Sequence, residues 1–164
     1  MLKKLSIAAA IAVLSISAQA QTANAFYVGS DIGSTKVDGL VDNKVSYGAF
    51  GGYKFNENVA VELAYRQLFK TDIGPVSVDG TQTAVSVLGI VPVSKEFQVI
   101  GRLGYNQLKA NASYRGSSGS GSQNGTFVGV GVQYQFTANI GARLEFQKPA
   151  SDTKNFSAGV TYSF

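Results

Sequence analysis

The side chains best able to do chemistry in this 164-residue chain are seven charged residues: Asp31, Lys54, Glu62, Arg66, Arg102, Arg143 and Glu145. Each lies in a segment where apolar and polar residues alternate, and each falls on the polar side. Gln133 and Gln147 share that side. Carboxylates and guanidiniums gathered on one face have two uses. A carboxylate pair, here Glu62 and Glu145, can serve as acid and base in a hydrolysis. Alternatively each carboxylate neutralises an arginine, and the group is structural. The chain has no His and no Cys. That leaves no imidazole base for a nucleophile and no imidazole or thiolate for a metal. No cofactor or metal site is expected, and no enzymatic activity.

The segments that carry these residues read as eight strands, because their alternation has period two. They are 26–34, 45–55, 59–69, 82–91, 97–109, 126–136, 140–147 and 155–164. The connections alternate in length. Those after the second, fourth and sixth segments are tight, and those after the first, third, fifth and seventh are long: 35–44, 70–81, 110–125 and 148–154. The Gly/Ser-rich run Asn111–Asn124 reads as a mobile loop. Pro75, Pro92 and Pro149 fall in connections or at a strand end, where a missing N–H does no harm.

Met1 to Ala20 reads as a secretory signal peptide, with Lys3 and Lys4 leading a short apolar run that ends in Ala18-Gln19-Ala20. Cleavage is expected before Gln21, with Ala23-Asn24-Ala25 as a second possible site. The domain is then 21–164. Without Lys3 and Lys4 the formal net charge falls from +4 to +2. No basic run interleaved with aromatics remains, so nucleic acid is not an expected partner.

Two environments suit eight alternating strands. A soluble barrel puts its apolar series inside. A barrel in lipid reverses this, since only helices and closed barrels satisfy every backbone group in a membrane. Here the opposite series holds nine polar side chains plus Gly29, Gly33, Gly48, Gly52, Gly104, Gly129, Gly131 and Gly159. That makes a better interior for a barrel surrounded by lipid, with glycines leaving space for long Arg and Glu side chains. Sorted loop lengths agree, with short turns on the periplasmic side. Tyr53, Phe55, Tyr134, Phe136, Tyr162 and Phe164 lie beside the tight turns or the chain end and would form an aromatic girdle. The fourth segment, T-A-V-S-V-L-G-I-V, does not declare its faces. Eight strands enclose an interior about filled by side chains, so the expectation is an all-β, eight-stranded antiparallel up-and-down barrel that is plugged.

The final stretch, N-F-S-A-G-V-T-Y-S-F, has Val160, Tyr162 and Phe164 on its apolar face. It resembles the assembly signal of bacterial outer-membrane barrels. Gly48–Asn56, G-A-F-G-G-Y-K-F-N, followed by V-A-V-E-L-A-Y, resembles the second and third strands of the OmpA-type transmembrane domain. Gly131–Gln147, G-V-Q-Y-Q-F-T-A-N-I-G-A-R-L-E-F-Q, resembles its sixth and seventh. The resemblance implies an outer-membrane location, insertion by the barrel-assembly machinery, and an internal ion-pair network. Glu62, Arg143 and Glu145 match the family's interior carboxylate and R-L-E positions; Arg66, Arg102 and Asp31 are their expected associates. Gln133 stands where the family often has a second acid. The peptidoglycan-binding domain of longer members has no counterpart in the sequence.

Glu62 and Arg143 each lie four residues beyond a tight turn, on strands that face each other across an eight-stranded barrel. They are expected to pair. The leading functional expectation is a monomeric structural barrel whose surface loops meet envelope or host partners. A narrow porin-like channel is the alternative. Lys36, Lys44, Lys70, Lys109, Arg115, Lys148 and Lys154 lie near the long loops. They are candidates for contact with lipopolysaccharide phosphates, against the plainer reading of solvated loop charge diluted by Asp38, Asp42, Asp72, Asp79 and Asp152.

Overall fold

The structure, a computed structural model, describes residues 26–37, 43–73, 76–114 and 117–164. The expected signal peptide and Arg115 lie outside them. Eight strands follow one another: β1 (Phe26–Val37), β2 (Lys44–Lys54), β3 (Val59–Ile73), β4 (Val76–Pro92), β5 (Phe97–Tyr114), β6 (Ser117–Gln135), β7 (Ile140–Ala150) and β8 (Thr153–Ser163). Each pairs antiparallel with its neighbour in sequence, and β8 pairs with β1 to close the barrel.

The three tight turns share one construction. Phe55, Val93 and Phe136 each donate a backbone N–H to the carbonyl of the residue that opens the next strand, at 2.9 Å. A short polar side chain completes each turn. Asn56 Oδ1 accepts from the Asn58 N–H at 2.8 Å, Ser94 Oγ from Phe97 at 3.0 Å, and Thr137 Oγ1 from Ile140 at 3.0 Å. These are the local bonds that make Asn, Ser and Thr turn residues. They fix the register from which each hairpin grows.

The outer surface is apolar. Leu63, Leu103, Val130 and Val160 are each about three-fifths exposed, which fits hydrocarbon rather than water. At the turn end, edge-on ring pairs join Phe26 to Tyr53, Tyr53 to Phe55, Tyr134 to Phe136 and Tyr162 to Phe164. The fourth strand carries apolar residues on both faces, with Gln82 and Ser86 also turned inward. Val85, Val87 and Val91 point outward, while Ala84, Leu88 and Ile90 are buried. Inside, Tyr27, Phe50, Ala60, Leu88, Ile90 and Ile100 form one cluster. The interior is therefore not wholly polar. Toward the turn end its floor is apolar on the β1–β5 side, while Gln133 of β6 and Thr161 and Ser163 of β8 are buried opposite.

Two further expectations are corrected. The long connections are mostly strand, not loop. β3–β4, β4–β5 and β5–β6 remain paired out to Ile73↔Val76, Val76↔Tyr114 and Tyr114↔Ser117. The Gly/Ser-rich run is thus largely the β5–β6 hairpin. A ladder uses only backbone groups, so it continues through glycine and serine once the register is set. By contrast β2–β3 pairing stops at Tyr47↔Gln67 and β6–β7 pairing at Val128↔Lys148. Strands β3 to β6 consequently rise past the rest of the rim. The other correction concerns the interior glycines. Gly29, Gly52 and Gly104 stand directly opposite Phe50, Tyr27 and Phe127 in register. A Cβ at any of the three would collide with that ring. These glycines make room for inward aromatics. Gly48 and Gly131 do adjoin charged side chains, Asp31 with Arg66 and Glu145 respectively.

Candidate functional site

The charged side chains converge above the apolar floor. Glu62, carried by β3, is 1% exposed. Its Oε2 accepts from Arg143 Nη1 on β7 at 2.7 Å, and its Oε1 lies 2.6 Å from Arg102 Nη2 on β5. The Tyr27 hydroxyl donates to Oε2 at 3.1 Å. Arg102 turns its Nε and Nη2 side-on to Glu145, the second contact being 3.0 Å, and gives Nη1 to Ser86 Oγ at 2.7 Å. Gln147 Nε2 donates to Glu145 at 3.0 Å. Arg143 gives Nε to Gln133 Oε1 at 3.1 Å and lays its guanidinium 4.6 Å from the Phe50 ring centre. Two carboxylates and two guanidiniums thus form one chain across the barrel, Arg143–Glu62–Arg102–Glu145, with neutral groups at both ends. Side-on arginine–carboxylate contacts are strong and directional.

Arg66 and Asp31 form a separate cluster, closer to the loop-side mouth. Arg66 Nη2 meets Asp31 Oδ2 at 2.7 Å, and Arg66 Nη1 donates to Asn155 Oδ1 at 2.7 Å. Asn155 Nδ2 in turn donates to Thr35 and Ser46, each at 2.8 Å. The six expected ion-network residues are therefore all interior, but they divide into a group of four and a pair. A cavity of about 10 Å³ lies among Asp31, Glu62, Arg66, Gln82, Arg102 and Glu145, room for about one water.

Sequence reasoning missed Tyr27, Ser86 and Asn155 as members of these clusters. All three are on inward faces, but only Asn155 stands in a strand whose alternation points to it; Ser86 lies on the segment whose faces the sequence leaves undeclared, and Tyr27 carries no charge to mark it as inward. Gln133 stays in the network as a neutral acceptor for Arg143. Val160, Tyr162 and Phe164 lie on the outward face of the β8 stretch, and the Phe164 N–H donates to the Phe26 carbonyl at 2.9 Å across the seam.

The arrangement has little catalytic character. Both oxygens of Glu62 and both of Glu145 are held by arginines, and neither carboxylate faces the 350 Å³ opening at the loop end, which Val37, Leu68, Phe69 and Leu108 help to line.

A closed antiparallel barrel with an apolar exterior, an aromatic belt and paired charges inside is a transmembrane β-barrel. The chain belongs to the outer membrane protein β-barrel domain family, whose family model matches residues 6–164. Its place is the bacterial outer membrane. Outer membrane protein A of Escherichia fergusonii is 30% identical over 199 residues, an alignment covering 99% of this chain and 56% of the relative. The same protein of Salmonella typhi is 28% identical with the same coverage. The chain thus spans about half the length of the curated relatives it matches. Among solved structures, Neisserial surface protein A superposes with a TM-score of 0.72 at 17% identity, covering 88% of this chain and all of that one. Ail of Yersinia pestis superposes with a TM-score of 0.63 at 22% identity, covering 85% and 96%. These two likenesses concern the fold.

Proposed function

We propose that the protein is a closed, non-catalytic structural barrel that works as a monomer. Lipid anchors its outer face, and its raised β3–β6 strands present the surface that meets envelope or host partners. Insertion by the barrel-assembly machinery belongs to the same reading. The carrying observation is the packed cross-section at Glu62. Its carboxylate is clamped between Arg102 and Arg143, and directly beneath lie Leu88 and Ile100, exposed by 0% and 1%. A continuous wet path is needed for ion flow. Desolvated pairs above a tightly packed, largely apolar layer supply a barrier instead. Planar-bilayer recording of the refolded protein tests this. The expected record is silent at moderate voltage. Sustained stepwise conductance from folded protein would favour the narrow channel.

A further inference from the structure

The register brings three lysines together on the lipid side of the barrel. Lys36 on β1 is directly opposite Lys154 on β8. Lys148 on β7 and Lys154 each follow the Gln147↔Asn155 pair, at the point where the β7–β8 register shifts before Ala150↔Thr153. All three are exposed, and the neighbouring inward residues Thr35, Gln147, Thr153 and Asn155 are buried. The lysines therefore project outward in a row across three adjacent strands. The outward residues one step below are Ser34, Phe156 and Phe146, of which the two rings are about half exposed on the lipid face.

Their height is set by the strands. Lys36 is ten residues from Phe26, and Lys154 ten from Phe164, both at the aromatic belt. At about 3.3 Å per residue and a tilt of about 40°, ten residues rise about 25 Å, which is the height of the apolar band of such barrels. The row therefore lies where hydrocarbon gives way to head groups on the outer leaflet.

Like charges directly opposite one another destabilise a sheet, yet none of the three makes an ion pair with a described residue. Asp152, at the tip of the β7–β8 hairpin, is the nearby acid, and its carboxylate accepts from the Thr153 hydroxyl at 3.2 Å. Asp38 and Asp42 lie outside the described residues. The opposite wall is arranged differently. Lys70 stands opposite Asp79, and Lys109 lies between Thr81 and Ser122.

We infer that Lys36, Lys148 and Lys154 form a binding site for the phosphates of an outer-leaflet glycolipid, its acyl chains resting on Phe146, Phe156 and Ile32. The site depends on the membrane location and not on whether the barrel conducts. A juxtamembrane lysine contributes about a five-fold gain in affinity for an anionic surface, so three together give roughly 100-fold.

The test uses the full chain refolded in neutral detergent, with purified bisphosphorylated lipid A as the probe and native mass spectrometry as the readout. Triple substitution of Lys36, Lys148 and Lys154 by alanine is compared with the pair Lys70→Ala and Lys109→Ala. Heat-modifiable mobility establishes that each variant is folded. The expected result is retention of lipid A by the wild type and the control pair, and a loss of between ten-fold and roughly 100-fold in the triple variant. Dephosphorylated lipid A should bind the wild type no better than the triple variant. Equal retention by the triple variant overturns the site. An equal loss in the control pair also overturns it, by showing diffuse charge attraction. Displacement of lipid A by millimolar inorganic phosphate would assign the row to free phosphate and overturn the lipid assignment.

Discussion

Replacing Glu62 by glutamine is the sharpest perturbation of the interior. Among the described residues Glu62 is the only carboxylate paired with Arg143, and it shares Arg102 with Glu145. Removing its charge leaves Arg102 side-on to Glu145. Arg143 keeps only the Gln133 acceptor and the faces of Phe50 and Tyr27. Breaking a buried pair from one side commonly costs ~3–5 kcal/mol. The amide oxygen of glutamine still accepts one hydrogen bond, and Arg102 keeps its other partner, so about 2–3 kcal/mol is expected here. Glu145→Gln should cost less, about 1 kcal/mol, because Arg102 then retains Glu62. Arg143→Met removes the guanidinium and leaves Glu62 with Arg102 and Tyr27. The double variant Glu62→Gln with Arg143→Met should therefore be more stable than the two single costs predict, with a coupling above roughly 1 kcal/mol. Denaturant unfolding in detergent or lipid, followed by heat-modifiable mobility, measures all four members of the cycle. Strict additivity would refute the contact. A larger cost for Glu145→Gln than for Glu62→Gln would refute the chain order Arg143–Glu62–Arg102–Glu145.

Gly52→Ala should lower the denaturation midpoint, since the new Cβ meets the Tyr27 ring; with Tyr27→Ala in the same chain, the combined loss should be smaller than the two single losses added. Leu88→Ala, which opens the apolar floor, should cost about 2–4 kcal/mol, measured by the same unfolding assay. Phe164→Asp places a charge at the aromatic belt beside Tyr162 and should reduce the yield of folded protein in outer-membrane fractions. An unchanged yield would count against an assembly role for Val160, Tyr162 and Phe164.

The outside of the barrel was legible because one rule governs it. Every second residue of a lipid-facing strand must be apolar, and seven of the segments obeyed this cleanly. The tight turns were legible for a similar reason, since Asn56, Ser94 and Thr137 announce local hydrogen bonds that need no tertiary context. The strand ends on the loop side were not. The extensions of β5 and β6 are exposed on both faces over 109–113 and 119–124, so no burial imprints a period on them. Backbone pairing holds them, with one exposed side-chain bond from Asn111 Nδ2 to Asp79 at 3.1 Å, and backbone pairing leaves no mark on composition. β3 adds a further break. Its register shifts between Gln67 and Phe69, which places both Leu68 and Phe69 at the mouth and ends the alternation at the point where loop was expected.

The interior was half legible, and the reason lies in pairing across strands. Charge marks a residue as inward when its neighbours on the other face are apolar, so Glu62, Arg66, Arg102, Arg143 and Glu145 could be placed from their own strands. An inward aromatic carries no such mark. Tyr27 and Phe50 interrupt nothing visible, because each sits on a face rich in glycine. Their meaning appears only in the ladder, where Tyr27 faces Gly52 and Phe50 faces Gly29. A narrow barrel has a nearly fixed cross-section, so a ring on one wall requires a missing side chain on the wall beside it. The same economy explains the fourth strand. Leu88 and Ile90 face inward where the floor needs volume, while Val85 and Val87 face lipid. No period survives when both environments are apolar. Tyr27 then joins the two layers, packing within the floor through its ring and reaching Glu62 through its hydroxyl. The apolar cluster and the charged chain are in this way one packed unit. Truncating Tyr27 should therefore loosen both layers together.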